Sequence, residues 1–285
     1  MSPPAPSPST LTTSDGIRLT YTQTGPASGP PILFITGWRQ AAIEWRKQST
    51  YFSEAGFRVT TFDLRGHGDS EEPSFGYRIS RFAADLDDLL THLDLRDVAI
   101  VGHSMGCSVA WAWWDQYPSS SSRSRVAKFV FVDQPAAMVK DPAWTDEYAA
   151  QISATFAPLE LFGLASNISA QLEPLVTGMF TPAVSESDLE WVLAQNRKMS
   201  DENSAALLVD HAFADWRDVL PRITVKSLVL AGEVSVFPPR GIEWVAQQIP
   251  GAEGYTFTEA EKGSHFMFWE NPERFNEVVE AFLRK

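Results

Sequence analysis

The sequence predicts an α/β fold: a mostly parallel sheet flanked by helices, with a helical lid inserted between two of its strands. Three observations predict it. Short apolar runs alternate with amphipathic helical patterns, as buried strands joined by crossover helices require. The alternation breaks after Asp133 and resumes near position 216. The chain's 285 residues, 44% hydrophobic and 21% charged, can also bury one large core without a metal or a disulfide.

The elements follow in order. The opening stretch MSPPAPSPSTLTTSDG is rich in proline and serine and lacks both the basic and the apolar region of a signal peptide. It is expected to be a flexible tail. Strands are expected at 17–22, 31–36, 57–63, 98–101, 127–132, 227–231 and 254–257. Phe82, Leu86, Leu89, Leu90 and Leu93 recur at spacings of three and four, an apolar stripe on a helix of about four turns. From 136 to about 216 no strand is evident, whereas 185–198 reads as a helix capped by Ser185, with Leu189, Val192 and Leu193 on one face. Residues 12–135 and 216–285 are therefore expected to form one core, and 136–215 a lid that roofs the pocket and carries selectivity. Asn271-Pro272 opens the last helix, with a capping asparagine and proline in the first turn.

A formal charge of −13 argues against nucleic acid or an anionic membrane as partner, since both reward lysine and arginine. No run approaches the roughly 20 apolar residues of a membrane span. Cys107 stands alone, which excludes an internal disulfide and suits a reducing compartment. These features lead us to expect a cytoplasmic monomer or homodimer, in which the sequon Asn167-Ile168-Ser169 carries no glycan.

The stretch AIVGHSMGCSVAWAWW, 99–114, turns from strand-like to helix-like around Gly102-His103-Ser104-Met105-Gly106. Such a junction leaves Ser104 on a tight bend with an unfavourable backbone conformation. Bulk two residues to either side would strike neighbouring elements, so glycine stands at both places. The bend lifts the hydroxyl clear of the sheet at a helix amino terminus, where backbone N–H groups face whatever the serine attacks.

Gly-His-Ser-Met-Gly resembles the Gly-x-Ser-x-Gly nucleophile elbow of the α/β-hydrolases. Asp63-Leu64-Arg65-Gly66-His67-Gly68-Asp69-Ser70 is similar to that family's glycine-rich turn after its fourth strand, and Gly263-Ser264-His265-Phe266 follows the final strand, where the family carries its catalytic histidine. The resemblance runs from about 12 to 285 apart from the lid, with the motifs in the family's order. A serine hydroxyl needs a base to take its proton. Of the five histidines, His265 is the expected base. His92 is expected on a solvated helix face, His67 in a structural role within its turn, His103 pointing away from the nucleophile, and His211 in the helix that returns from the lid.

The acid has two candidates. The family usually supplies an aspartate just after the strand that here ends at Ala231, but this sequence has Gly232-Glu233-Val234-Ser235, with Ser235 at that place. Some members carry the acid at the end of the preceding strand, and here Phe131-Val132-Asp133-Gln134-Pro135 offers Asp133. Asp133 is preferred as the acid that orients His265, with Glu233 as the other candidate and capping of the lid as the structural reading of Asp133. The oxyanion is expected to rest on the amides of Met105 and Trp38, the latter in Thr36-Gly37-Trp38, which resembles the family's His-Gly-x turn with threonine for histidine.

The resemblance implies a serine hydrolase that cleaves a carboxylic ester or lactone of a hydrophobic small molecule through an acyl-enzyme, with no metal or organic cofactor. The ten tryptophans, Trp144 and Trp191 in the lid among them, suit a hydrophobic substrate, and no basic cluster in the lid calls for a phosphate. Ser104 excludes the carboxylate-nucleophile chemistry of dehalogenases and epoxide hydrolases in its usual form. It leaves open C–C hydrolase, perhydrolase and lyase chemistry. A small-molecule receptor built on a hydrolase pocket is an alternative of another class.

Overall fold

A computed structural model describes residues 7–285. These residues form an eight-stranded sheet in the order β1-β2-β4-β3-β5-β6-β7-β8. The strands are β1 (Ser9–Thr12), β2 (Arg18–Thr24), β3 (Pro31–Ile35), β4 (Arg58–Phe62), β5 (Val98–His103), β6 (Val126–Val132), β7 (Lys226–Gly232) and β8 (Glu253–Phe257). β1 and β2 run antiparallel to their neighbours, and β4 to β8 with β3 among them are parallel. Every residue of β5 is buried, as a central strand covered on both faces requires.

β1 departs from the sequence expectation. The first six residues of the expected tail lie outside the described residues, but Ser9–Thr12 pairs with β2 in the register Ser9↔Tyr21 to Thr12↔Arg18. Leu11 turns into the core, and the Thr13 hydroxyl accepts the Ile17 N–H at 3.0 Å across a turn that places Gly16 at φ 89°. A four-residue strand after a Pro/Ser-rich run carries too short an alternation to be read locally; the hairpin and one buried leucine hold it.

The helices match their sequence signals where those were strong. Ile79–His92 buries Phe82, Leu86, Leu89 and Leu90 against the sheet. Pro272–Leu283 opens with the Asn271 side chain accepting the Arg274 N–H. Five α-helices fill the stretch between β6 and β7 among the described residues: Asp146–Gln151, Pro158–Ala165, Ile168–Gly178, Glu186–Asn196 and Asp201–Phe213. Thr145, Ser185 and Ser200 cap three of them through side-chain oxygens. Leu161, Ile168, Leu207 and Leu208 join the apolar core on one side of the sheet, and Leu172, Val176, Val192 and Leu193 the core on the other. The insertion thus straddles the carboxyl edge of the sheet. No helix among the described residues is long and apolar enough to cross a membrane.

Candidate active site

β5 ends at His103 and a helix, Met105–Gln116, begins two residues later. Ser104 alone makes the reversal, at φ 52° and ψ −125°, a conformation an L-residue holds at a cost of about 1–3 kcal/mol. Its N–H is tied to the Val132 carbonyl at 2.9 Å, which fixes the bend to the end of β6. The flanking glycines answer to crowding. A Cβ on Gly102 would lie 2.7 Å from the Gly106 carbonyl oxygen, and one on Gly106 would lie 2.6 Å from that of Ile35. The helix therefore crosses directly over the ends of β3 and β5.

Ser104 is only partly buried, and the loop after β3 runs beside it: a Cβ on Gly37 would stand 3.0 Å from the serine Cβ. Among the described residues the Trp38 and Met105 amides have no protein acceptor. Both are open donors, Met105 directly after Ser104 and Trp38 directly after Gly37.

Asp133 follows the last residue of β6 and is fully buried, with φ at 54°. Its N–H donates to the Leu230 carbonyl at 2.8 Å, so its carboxylate emerges between β6 and β7. Oδ1 accepts the Gly232 N–H at 3.1 Å, while Oδ2 accepts His265 Nδ1–H at 2.6 Å and the Ser235 hydroxyl. The aspartate with two backbone and two side-chain tethers cannot turn away, and it fixes the proton of His265 on Nδ1. Nε2 is left as the basic nitrogen. Among the described residues Nε2 and the Ser104 hydroxyl make no hydrogen bond within the protein, an arrangement that can close when a substrate is bound.

The structure brings Asp133 to His265 and leaves Glu233 out. The exposed Glu233 side chain accepts the Glu259 N–H at 2.7 Å, on the loop that leads to His265. The loop that carries His265 is held from the insertion side as well: Glu270 accepts the Ser264 hydroxyl at 2.5 Å and the Thr181 N–H at 2.9 Å, and Phe180 stacks on Phe266 at 4.3 Å.

The remaining histidines have other work. His67 Nε2 accepts the Arg39 N–H at 3.0 Å, so Nδ1 carries the proton toward the Arg65 carbonyl at 2.9 Å; burial pushes its pKa down to about 4. His103 points into the protein, with Nε2–H on the His265 carbonyl at 2.8 Å and Nδ1 2.9 Å from Gln40 Oε1, the atom that also accepts the Gly37 N–H at 2.6 Å. It thereby lies between the Gly37 loop and the His265 loop. The two tryptophans of the insertion are engaged with other rings: Trp191 stacks on Trp269 at 5.0 Å with Arg46 over both, and Trp144 packs edge-on against Tyr148 under Arg217.

His211 is buried on the helix Asp201–Phe213 with Nδ1 unpartnered, and burial lowers its pKa to about 3. An unfolded histidine binds a proton below about 6.5, whereas this one in the folded protein does so only near 3. Falling pH across that interval therefore favours unfolding. His211→Met is expected to stabilise the protein by about 1–2 kcal/mol at neutral pH by removing a buried orphan nitrogen. Its advantage over the wild type should grow by about 1.4 kcal/mol for each pH unit below about 6.5. Urea midpoints at pH 7.5, 6 and 5 check both the sign and the slope.

Sequence reasoning missed the contacts that surround these residues. Ser235 on Asp133, Glu270 between Thr181 and Ser264, and the Arg39 side chain all join segments far apart in the chain. The signals available were a polar residue at the end of a strand or in a helix-initiating loop and, for Ser235, its place where the resemblance puts the family's usual acid. Among the described residues no group of three or more His, Cys, Asp or Glu side chains is placed to hold a metal ion.

A family model described as the alpha/beta hydrolase fold matches residues 30–272. The chain is 30% identical to a non-heme chloroperoxidase of Streptomyces lividans, over 96% of this chain and 99% of that protein. It is 27% identical to 3-oxoadipate enol-lactonase 2 of Acinetobacter baylyi, over 97% and 96% of the two chains. Its structure superposes on that of a bromoperoxidase from Bacillus anthracis with a TM-score of 0.87 at 24% identity, covering 98% of this chain and all (100%) of that one.

Proposed function

The chain belongs to the α/β-hydrolase fold family, and on that premise we propose that it is a serine hydrolase cleaving a carboxylic ester or lactone of a neutral, hydrophobic small molecule. The observation that carries the reading is Asp133 Oδ2 at 2.6 Å from His265 Nδ1, together with a serine held at φ 52° on the bend from β5 into its helix. In this reading Ser104 Oγ attacks the carbonyl carbon as His265 Nε2 takes its proton, and Asp133 stabilises the imidazolium. The oxyanion rests on the Trp38 and Met105 amides. His265 returns the proton to the leaving alkoxide, then activates the water that releases the acyl group. No metal or cofactor enters these steps, and the working unit is a monomer or homodimer.

The test combines a fluorophosphonate with a panel of lactones, aryl esters and acyl esters. Labelling confined to Ser104, with repeated turnover of at least one panel member, supports the reading. Labelling with a single turnover would mark a receptor, and no labelling at all would remove Ser104 as nucleophile.

The kinship with a chloroperoxidase favours a second reading, in which hydrogen peroxide takes the acyl group instead of water. The acyl carbon then passes from Ser104 to a peroxide oxygen, giving a peracid with no change of redox state at the enzyme. Peracid formation from ester and peroxide that is lost with Ser104 supports it; ester hydrolysis with no peracid sets it aside.

A further inference from the structure

We infer that Arg39 is a positioning residue for the Trp38 amide, and that through it the helical insertion sets the oxyanion side of the site instead of merely covering it. The inference rests on the serine-hydrolase reading above. Arg39 follows Trp38 directly and has φ 61°, so its backbone leaves the loop in the left-handed region, with its N–H on His67 Nε2. Its side chain then runs away from the sheet into the insertion, 2% exposed as a residue.

There the guanidinium spends four hydrogen bonds on one short segment. Nε donates to the Asn196 carbonyl at 2.8 Å, Nη2 to the Met199 carbonyl at 2.6 Å, and Nη1 to the Ser204 hydroxyl at 2.6 Å and to Asp201 Oδ1 at 3.0 Å. Asn196 ends one helix and Met199 lies in the link to the next, so the cation meets carbonyls left open at a helix carboxyl terminus. Trp38 reaches the same place: its indole N–H donates to the Ser204 carbonyl at 2.8 Å.

The amide in question is therefore held between fixed points. Gly37 N–H is tied to Gln40 Oε1, the Trp38 side chain to Ser204, and Arg39 to His67 on one side and to 196–204 on the other. Two of these anchors belong to the insertion. A lysine could supply the charge of Arg39 but not the fork that satisfies acceptors in several directions at once. Displacing an oxyanion donor by a fraction of an ångström weakens the transition state and leaves substrate binding nearly as it was.

The variants Arg39→Lys, Arg39→Ala, Asp201→Asn and Ser204→Ala test this in the full-length protein. Three measurements apply: kcat and KM on an aryl ester, the inhibition constant of an aryl trifluoromethyl ketone whose adduct places an oxyanion in the hole, and amide hydrogen exchange at 36–41. Arg39→Lys and Arg39→Ala should lower kcat by about 10- to 100-fold with KM within about threefold, and weaken the ketone in parallel. Exchange at 36–41 should quicken while that of β5 stays as in the wild type, and Ser204→Ala should show a smaller version of the same pattern. A raised KM with kcat retained, or unchanged exchange at 36–41 in a folded Arg39→Lys, overturns the proposal. If Arg39→Ala does not fold, Arg39→Lys and Ser204→Ala carry the same comparison. A wild type without Ser104-dependent turnover would instead remove the serine-hydrolase reading, and the exchange measurement would still decide whether Arg39 holds the loop.

Discussion

Ser104→Gly is expected to abolish ester turnover and at the same time to make the protein more stable than Ser104→Ala. The two substitutions remove the same hydroxyl, so both should reduce kcat by roughly a thousand- to a million-fold and eliminate phosphonate labelling. They differ in what they leave on the backbone. At φ 52° and ψ −125° a Cβ is strained, and alanine keeps that Cβ while glycine discards it. At an ordinary helix-flanking position glycine would be the less stable of the two, because it has more conformational freedom to lose. Here the order should reverse, by about 1 kcal/mol in urea denaturation. If the alanine variant proved the more stable, the bend at Ser104 would be relaxed and the argument from its backbone would fail. Under the proposed serine-hydrolase reading, the expected reversal is stability given up where the chain exposes its nucleophile.

The parts of this site that could be read from sequence are those whose cause is local. Ser104 is marked by glycines two residues to either side: the crowding at Gly102 comes from the helix that follows, and only that at Gly106 comes from a distant segment, Ile35 at the end of β3. His265 is marked by its place after the last strand. Asp133 was legible in a weaker way: a polar residue closing an apolar run and followed by Pro135 must emerge at a strand end, but the strand's neighbours decide what it meets. That β6 lies beside β7 brings Ser235 to Asp133 across 102 positions, and nothing local to either residue announces it. Arg39 is the extreme case. Its partner Ser204 is 165 positions away, and an arginine in a polar loop reads as a solvated side chain until the insertion is folded over it. Alternation reveals which residues face a core; it does not reveal which segments share one.

Asp133→Asn should lower kcat by roughly ten-thousand-fold with the protein still folded, whereas Glu233→Gln should leave kcat within about twofold. Asparagine keeps the shape and can still accept the Gly232 N–H on Oδ1. Its amide group, however, would then face His265 Nδ1 with a donor, so the imidazole must carry its proton on Nε2, the nitrogen that has to receive the serine proton. Catalysis then fails for want of the right tautomer and not for want of structure. Ser235→Ala is expected to cost about tenfold, the worth of one hydrogen bond to a charged acceptor, since Asp133 Oδ2 would retain His265 and Oδ1 its backbone donor. The double variant sharpens the point. If Ser235 acts only by holding the carboxylate, its removal should cost nothing further once Asp133 is asparagine, so the two effects should be far from additive. Full additivity would mean that Ser235 serves the reaction by another route. A Glu233→Gln variant as impaired as Asp133→Asn would move the acid to the end of β7.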